Sequence, residues 1–427
     1  MEKTYPRYRV NLLEAERDLK AMANHYLQPD GGTLEGMGYW HSVGEVFPTL
    51  YALARRHGKP FRDAMGERVR RTADYALDML STAGDGDTFL TINAAGQGHL
   101  KPSLMMAAVF AGAVESAPWR RIYTRLAGES NPEVDWFHLV VAPETPPGGT
   151  VRSRGTGAPF YHFPSTGHAG VRREADRIGT IRLHLFSGRS RGGHSHQDKG
   201  SFILEAAGEQ LALDRGTTGY DNPVHLLMGK AAWHNLVVPE DADGKALEQQ
   251  PLSTSGGRLL RAEFEGNVLD LVCDNRNAWA PGLFCRNRRR VWSPAPELYV
   301  IDDDLALSAS QVVSFRLNGP FPIVKDADGA WSVPGSRARL RIHAVNWQPI
   351  AESVTREGVD WRGQPVWLLR MATKPDRTHR LVTLLEVLPI GTNASAWFSC
   401  WCAKQQSVEL KHSALSVSLV YRLKGSR

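Results

Sequence analysis

The spacing of apolar residues changes once along this chain, and that change limits the fold more than any other feature. Up to about residue 130 apolar residues recur every three or four positions, as in Leu12, Leu19, Met22 and Tyr26, which predicts amphipathic helices. From about residue 145 they alternate with polar residues, which predicts strands. Helices followed by strands predict two segregated domains rather than a parallel α/β sheet.

The predicted boundary lies in a Pro- and Gly-rich stretch at residues 143–149. We expect about five helices before it, because Gly58 and Pro60 mark a helix end and Pro102 and Pro118 mark helix starts. The clearest predicted strands are 181–185, 202–204, 235–238, 269–272, 298–301 and 381–385. The sequence thus predicts an α+β protein with a helical domain at residues 1–145 and a β domain at residues 146–427.

The composition of the chain is that of a folded globular protein without a membrane-spanning segment. Hydrophobic residues make up 42% of the chain and charged residues 22%, which is ordinary for a folded globular protein. No apolar stretch approaches the roughly 18–20 residues of a membrane span, and the first residues lack the apolar core of a signal peptide. We therefore expect a soluble protein without a membrane partner or an export signal in this chain, and its compartment stays open.

The charge balance favours an anionic partner. The 51 Lys and Arg residues exceed the 45 Asp and Glu residues, giving a formal charge of +6, which suits an acidic polymer. Nucleic acid is the rival partner. The densest basic run, residues 286–290, leads directly into Val291 and Trp292. We therefore interpret it as the solvated face of a strand, not a phosphate-binding patch, and expect no nucleic acid partner.

The most informative segment reads Gly-Gly-His-Ser-His-Gln-Asp-Lys-Gly and contains His194 and His196. In an extended segment the two imidazoles point to the same side. Asp214 ends one apolar strand and His234 precedes another, so neighbouring strands could bring all four together. Histidines and a carboxylate form a plausible zinc set. The competing interpretation is a pair of loop histidines hydrogen-bonded to Asp198, with His234 satisfied in the core.

Other motifs surround this segment in a characteristic order. They are residues 29–32, 35–40, 194–202, 213–216, Tyr220 and 234–238. Together they resemble the heparinase II/III-like superfamily of polysaccharide lyases, which includes heparin, heparan, alginate and oligoalginate lyases. The resemblance covers roughly residues 10–240 by motif and the remainder only by its β-rich character. It implies an incomplete, truncated (α/α) toroid followed by an antiparallel β-sandwich, with the active site in the cleft between them.

The resemblance also implies residue roles in β-elimination on a uronic-acid polysaccharide or oligosaccharide. His194 would be the catalytic histidine and Tyr39 the toroid tyrosine that acts as base, acid or both. His196, Asp214 and His234 would hold a structural zinc. Tyr220, in a polar turn, is expected to be catalytic or to contact substrate, and Glu35 is expected to contact substrate or to fix its loop.

Elimination removes the proton beside the uronic carboxylate, so the site needs a base, an acid and a group that neutralises that carboxylate. Members of the superfamily carry an upstream Asn-His pair for the last task. Here 38 residues precede Tyr39, and the pair Asn24-His25 lies inside a predicted helix. Arg173 or Arg215 would then bind the carboxylate, or the chain is an N-terminally short lyase. The alternatives are a non-catalytic carbohydrate-binding remnant and a zinc hydrolase with Asp198 as its base.

Overall fold

The change from helices to strands is present in the computed structural model. The structure describes residues 8–44, 46–56, 67–84, 88–93, 101–112, 114–129, 158–189, 194–250, 256–392, 397–413 and 418–423. The predicted domain boundary between residues 145 and 146 lies outside these residues. Within them, the long helices all precede residue 130 and the first named strand begins at Phe160.

Six helices of the described residues form the N-terminal part. They are α1 (Tyr8–Tyr26), α2 (Met37–Gly44), α3 (Val46–Arg56), α4 (Glu67–Asp78), α5 (Leu104–Gly112) and α6 (Ala117–Glu129). In α4 the buried Val69, Ala73, Ala76 and Leu77 recur at helical spacing, so one face packs inward. None of the described helices is long and apolar enough to cross a bilayer.

Antiparallel strands form the C-terminal part. They are β1 (Phe160–Phe163), β2 (His168–Ala175), β3 (Gly179–Phe186), β4 (Phe202–Ala206), β5 (Glu209–Ala212), β6 (Val237–Glu240), β7 (Arg258–Glu265), β8 (Val268–Asp274), β9 (Phe284–Ala295), β10 (Leu298–Gly319), β11 (Val324–Lys325), β12 (Trp331–Pro334), β13 (Ala338–Ala344), β14 (Ala351–Val359), β15 (Pro365–Ala372), β16 (Asp376–Pro389), β17 (Trp397–Cys402), β18 (Ser407–His412) and β19 (Ser418–Arg422). A four-residue helix, α7 (His225–Met228), interrupts them.

The strands form three sheets, of which two pack face to face. One sheet has five strands in the order β1 to β5, and a second has eleven strands with β10 near its centre. Side chains of both sheets share one hydrophobic core, as in a β-sandwich. The third sheet, β17 to β19, covers the outer side of β10 and β16 through a separate core that includes Leu298, Val382 and Trp397.

The five-stranded sheet lies between the helices and the eleven-stranded sheet. Along β3, Leu183 and Leu185 belong to the sandwich core. Phe186 belongs instead to the helical core. This alternation follows from the two-residue repeat of a strand. Both faces of the sheet are therefore covered, and the end of β5 and the loop before β4 are held between helices and strands.

A buried chain of polar side chains runs along the helix-facing side of this sheet. Arg182 donates to the Tyr161 hydroxyl at 2.8 Å, so that hydroxyl can donate to Nδ1 of His184 at 2.7 Å. Nε2 of His184 lies 3.0 Å from Nδ1 of His168. Burial, aided by Lys199, lowers the pKa of His168 to about 3, and burial lowers the pKa of His184 as well. Both imidazoles are therefore neutral in the folded protein.

This pair makes stability depend on pH. Unfolded histidine titrates near pH 6.5 while the folded pair stays neutral, so stability is complete above that pH and is lost as the pH falls towards 3. Lowering the pH from 7 to 5 should cost about 2 kcal/mol at His168. Urea unfolding of His168→Gln should show a correspondingly weaker pH dependence, whereas the exposed His25→Gln should behave as wild type. Equal pH dependence in wild type and His168→Gln would contradict this explanation.

Candidate active site

Tyr39 reaches the site because the helix that carries it is fixed on both sides. Its neighbour Trp40 is fully buried and donates to Thr72 of α4 at 2.7 Å. Gly36, just before α2, has a φ of +81°, and a Cβ there would lie 2.4 Å from the carbonyl oxygen of Ile92. Only glycine fits that close approach without strain. Tyr39 itself is partly exposed, so α2 presents it at the surface where the helical and β parts meet.

Three predicted catalytic side chains meet at this surface. The rings of Tyr39 and His194 are stacked, with centroids 3.6 Å apart. The hydroxyls of Tyr39 and Tyr220 form a short hydrogen bond. The Tyr220 hydroxyl also lies 3.1 Å from Nδ1 of His194. Tyr39 comes from the helical part and the other two from loops of the β part, so the cluster exists only when both parts are docked.

The cluster sits in an environment that favours neutral Tyr39. Burial and the hydrogen bond with Tyr220 raise the pKa of Tyr39, and the nearby Glu35 carboxylate adds to the effect. Tyr39 therefore keeps its proton at neutral pH. Tyr220 is 68% exposed and lies between the other hydroxyl and the imidazole, so a proton can pass along the three groups.

His194 and His196 face different partners, unlike the arrangement that an extended segment would give. Residues 194–200 form turns and not a strand. The backbone N–H of His196 donates to Asn93 at 3.1 Å, and that of Gln197 donates to the Gly229 carbonyl at 2.8 Å. These bonds to two separate loops bend the segment. His194 therefore joins the tyrosines, while His196 turns inward.

His196 lies inside, next to the other two predicted zinc ligands. Its ring centroid is 5.5 Å from that of His234, and Nδ1 of His234 donates to Asp214 at 2.9 Å. Burial lowers the pKa of His196 to about 3. Burial opposes a charge on His234 too, but the Asp214 carboxylate outweighs it and raises the pKa of His234. The three side chains are thus neighbours in the fold, although Asp214 lies 18 residues after His196 and 20 residues before His234 in the sequence.

The side chains of this trio are of types that bind metal ions, but they are not arranged around one common point. Nδ1 of His196 and Nε2 of His234 are buried without a hydrogen-bond partner, which is unusual for polar atoms and is what a bound metal would satisfy. The Asp214 carboxylate accepts the hydrogen bond of Nδ1 of His234, which orients that ring with its Nε2 free for a metal. Among the described residues, no three His, Cys, Asp or Glu side chains are arranged to hold a metal as they stand.

Asp198 does not have the position that a hydrolytic base requires. It is fully buried, and Nζ of Lys199 donates to it at 2.5 Å. The same ammonium donates to the His196 carbonyl at 2.6 Å. Burial raises the pKa of Asp198, and Lys199 only partly offsets the effect. The Asp198–Lys199 pair therefore supports the backbone of the His194–His196 segment and does not face substrate.

Two predicted substrate-binding residues are engaged inside the fold. Arg173 is buried and donates to the Asn267 carbonyl at 2.9 Å and to Ser293, so it ties the two sheets of the sandwich together. Arg215 is fully buried, with burial lowering its pKa to about 10. It donates to Asn318 at 2.8 Å and stacks on Trp233 at 4.1 Å. Both guanidiniums are buried and hydrogen-bonded within the fold, which argues against a contact with the substrate carboxylate, and that role stays a prediction. 

Glu35, the third predicted substrate-binding residue, lies near Tyr39 at the edge of the cluster. It is partly exposed and precedes α2 by two positions. Its backbone N–H is 3.4 Å from the Thr33 hydroxyl. The carboxylate is close enough to Tyr39 to affect its pKa, so Glu35 borders the cluster.

Several supporting residues were not predicted as part of the site. Arg289 of β9 is buried and donates to the carbonyls of Gly200 and Asn235, each at 2.7 Å, while pairing with Asp303. It therefore fixes the segments that follow His196 and His234. The basic run 286–290 is indeed a strand, but its prediction as one solvated face is wrong, because side chains alternate across the sheet and Arg289 points inward.

His225 and Asn93 are further residues that the sequence did not single out. The ring of His225 packs on that of Tyr220 at 4.6 Å, and its Nδ1 lies 2.8 Å from the Thr217 hydroxyl. Asn93 is fully buried with a φ of +58° and accepts the N–H of His196. A non-glycine residue in this left-handed conformation is uncommon and Asn is enriched there, but nothing in the local sequence reveals its partner.

Comparison with known proteins identifies the family. The model of the heparinase II/III-like C-terminal family matches residues 155–383, more than half of the 427 residues. This chain belongs to the heparinase II/III-like family. Among curated protein sequences, none matches the chain.

Solved structures of this family share the fold over almost the whole chain. The heparan sulfate lyase HepC from Pedobacter heparinus superposes with a TM-score of 0.71 at 13% identity, covering 99% of this chain and 63% of that one. A heparinase III gene product has a TM-score of 0.69 at 17% identity, covering 96% and 60%. The chain therefore spans about three fifths of the length of these proteins, and at such identities the likeness concerns the fold.

Proposed function

We propose that this heparinase II/III-like chain carries out β-elimination on a uronic-acid-containing polysaccharide or oligosaccharide. The observation that supports this most directly is the hydrogen-bonded cluster of Tyr39, His194 and Tyr220 at the junction of the helical and β parts. It supplies an acid and a base side by side, which elimination requires. The helices α1 to α6 are, in this proposal, the part of an incomplete (α/α) toroid that borders the cleft, with the domain boundary near residue 145.

The geometry favours a division of roles. Tyr220 removes the proton from the carbon beside the uronic carboxylate, while Nδ1 of His194, 3.1 Å away, accepts the hydroxyl proton of Tyr220. The bond from the neighbouring carbon to the glycosidic oxygen then breaks, and a carbon–carbon double bond forms. Tyr39, whose raised pKa keeps it protonated, donates its proton to the departing oxygen. Glu35 borders this position and is proposed to contact substrate hydroxyls.

The experiment for this proposal is a substrate panel. Purified protein is incubated with alginate, heparan sulfate, hyaluronan and chondroitin, and the ultraviolet absorbance of the unsaturated uronic product is followed. A rise with one polymer supports elimination and names the substrate class. No rise with any of them, from folded protein, would instead support a carbohydrate-binding remnant.

We further propose that His196, Asp214 and His234 hold a structural zinc ion. The two buried imidazole nitrogens without partners support this, and zinc would complete their bonding and brace the segment that carries His194. The proposed proton transfers use only the tyrosines and His194. The zinc proposal concerns the support of the site.

The zinc proposal predicts a metal content that depends on this trio. Protein expressed with zinc should contain one ion per chain, and His196→Ala or His234→Ala should contain only a small fraction of that, because a two-residue set binds zinc poorly. Mass spectrometry of the digested protein measures the content, with His225→Ala as the matched control that keeps its zinc. Metal-free wild-type protein, with a thermal unfolding midpoint unchanged by added zinc, would contradict the proposal.

A further inference from the structure

A cavity of about 640 Å³ lies in the β part, away from the tyrosine–histidine cluster. One wall is the loop of residues 347–350 after β13, and the other is formed by residues 373–381 at the start of β16. Ligand pockets for small molecules and short oligomers commonly have volumes of about 300–1,000 Å³. The cavity is therefore large enough for a few sugar rings.

Hydrogen bonds to the backbone fix both walls. The Asn346 side chain donates to the Arg380 carbonyl at 2.9 Å and accepts the N–H of Val382 at 2.7 Å. At the other end of the loop, Ile350 donates to the Ala372 carbonyl at 2.8 Å. On the opposite wall, Thr373 donates to the Val313 carbonyl at 2.9 Å. Such a preformed cavity needs little ordering when a ligand binds.

The lining side chains have the chemistry of an acidic-sugar site. Trp347 is partly buried and supplies an aromatic surface, on which the apolar face of a pyranose ring can pack. Lys374 is exposed and has no ion-pair partner among the described residues, whereas Arg380 is occupied by Asp302 at 2.5 Å. The exposed Asp376 can accept hydrogen bonds from sugar hydroxyls. The free positive charge of Lys374 favours a ligand that carries carboxylate or sulfate.

The cavity wall and the segment that carries Asp214 are both hydrogen-bonded to β10. The cavity wall is attached to β10 at Val313, whereas Arg215, next to Asp214, is attached to β10 at Asn318. Five residues of a strand separate these two points, which is roughly 17 Å. A polymer held at two linked positions on one protein binds more strongly than at either position alone, without a new catalytic group.

We propose that this cavity is a second binding site for a section of an acidic polysaccharide, outside the catalytic cleft. Trp347 packs on a sugar ring, Lys374 binds its carboxylate or sulfate, and Asp376 accepts a hydroxyl. The identity of the ligand rests on the proposed function, since both sites would hold the same polymer. The cavity itself does not depend on catalysis.

The test measures binding and turnover separately. His194→Ala protein is titrated calorimetrically with an alginate hexamer and, separately, with a heparan sulfate hexamer. We expect binding to a site at which Lys374→Ala raises Kd about tenfold. Trp347→Ala should weaken it too, while the exposed Lys404→Ala is the matched control and should not. In elimination assays with His194 intact, Lys374→Ala should raise KM severalfold for long polymer and leave kcat on a trimer unchanged.

The outcomes distinguish the two proposals. If Lys374→Ala and Trp347→Ala both bind each hexamer as tightly as the His194→Ala parent protein, the second site does not exist, whatever the elimination assay shows. If no polymer is cleaved but binding that depends on Lys374 is present, the proposed catalysis fails and the second site stands. Because Lys374 is exposed, its substitution should leave the fold intact, so a loss of binding in that variant is not explained by unfolding. A preference between the hexamers would show whether carboxylate alone suffices or sulfate is required.

Discussion

Replacing His194 with alanine should lower kcat/KM for elimination by about 10³. In the proposed reaction the imidazole accepts the proton of Tyr220, with Nδ1 placed 3.1 Å from the hydroxyl, and alanine removes that acceptor. The loss should appear mainly in kcat, because His194 acts in the transition state and the other surfaces of the cleft remain. Initial rates of ultraviolet absorbance increase measure it.

The matched control for this substitution is His25→Ala, an exposed histidine of α1. It should keep wild-type kinetics. His194 is only partly buried, so the variant should also keep the wild-type thermal unfolding midpoint. A variant that is folded and retains more than about a tenth of wild-type kcat/KM would exclude His194 as part of the proton path.

Tyr39→Phe and Tyr220→Phe should each lower kcat by about 10² to 10³, and the double variant should lose little more than the worse single variant. Phenylalanine keeps each ring, including the stacking of position 39 on His194, and removes only the hydroxyl. The two hydroxyls share one hydrogen bond, so removing either breaks the path that both serve. Effects of groups that act together do not add.

Single-turnover rates with the preferred oligosaccharide measure this coupling. Tyr123→Phe is a suitable control, since that tyrosine lies in the helical core away from the cluster. If the double variant shows the product of the two single losses, the hydroxyls act independently. The division of roles between Tyr39 and Tyr220 would then need revision.

The change from helices to strands along the chain was predictable because it depends on the spacing of apolar residues within each segment. A buried face repeats every three or four residues on a helix and every two on a strand. The pattern of each element therefore lies within its own residues. The motif around His194 was informative because it places two histidines, an aspartate and a lysine within six residues. The meeting of Tyr39 with Tyr220 spans 181 residues and came from the resemblance to the lyases, not from spacing.

The arginines show why the remainder could not be predicted. Sequence reveals a charge but not the partner that neutralises it, and the partners are distant: Arg215 donates to the carbonyl of Glu357, 142 residues later. Arg289 reaches Gly200, 89 residues earlier. Which side of a strand each arginine occupies depends on the register of neighbouring strands. Buried guanidiniums that brace loops therefore looked like candidates for substrate contact or for a solvated face.

The bend at His194 has a similar origin. An extended segment would place both histidines on one side, but the segment donates hydrogen bonds to Asn93 and Gly229, which lie in other parts of the chain. They separate the two imidazoles, giving one to the tyrosines and one to the inner trio. Tertiary contacts of this kind override a local pattern in a short segment.

The most direct test of the central claim is the mass of the product formed from an acidic oligosaccharide in heavy-oxygen water. Elimination breaks the glycosidic bond without adding water, so the account predicts an ultraviolet-absorbing product that is lighter by one water than a hydrolysis product and carries no heavy oxygen. A saturated product that contains heavy oxygen would show hydrolysis and contradict the account. Recovery of the intact oligosaccharide from folded protein that binds it would also contradict the account. The chain would then be a carbohydrate-binding protein with the fold of a lyase.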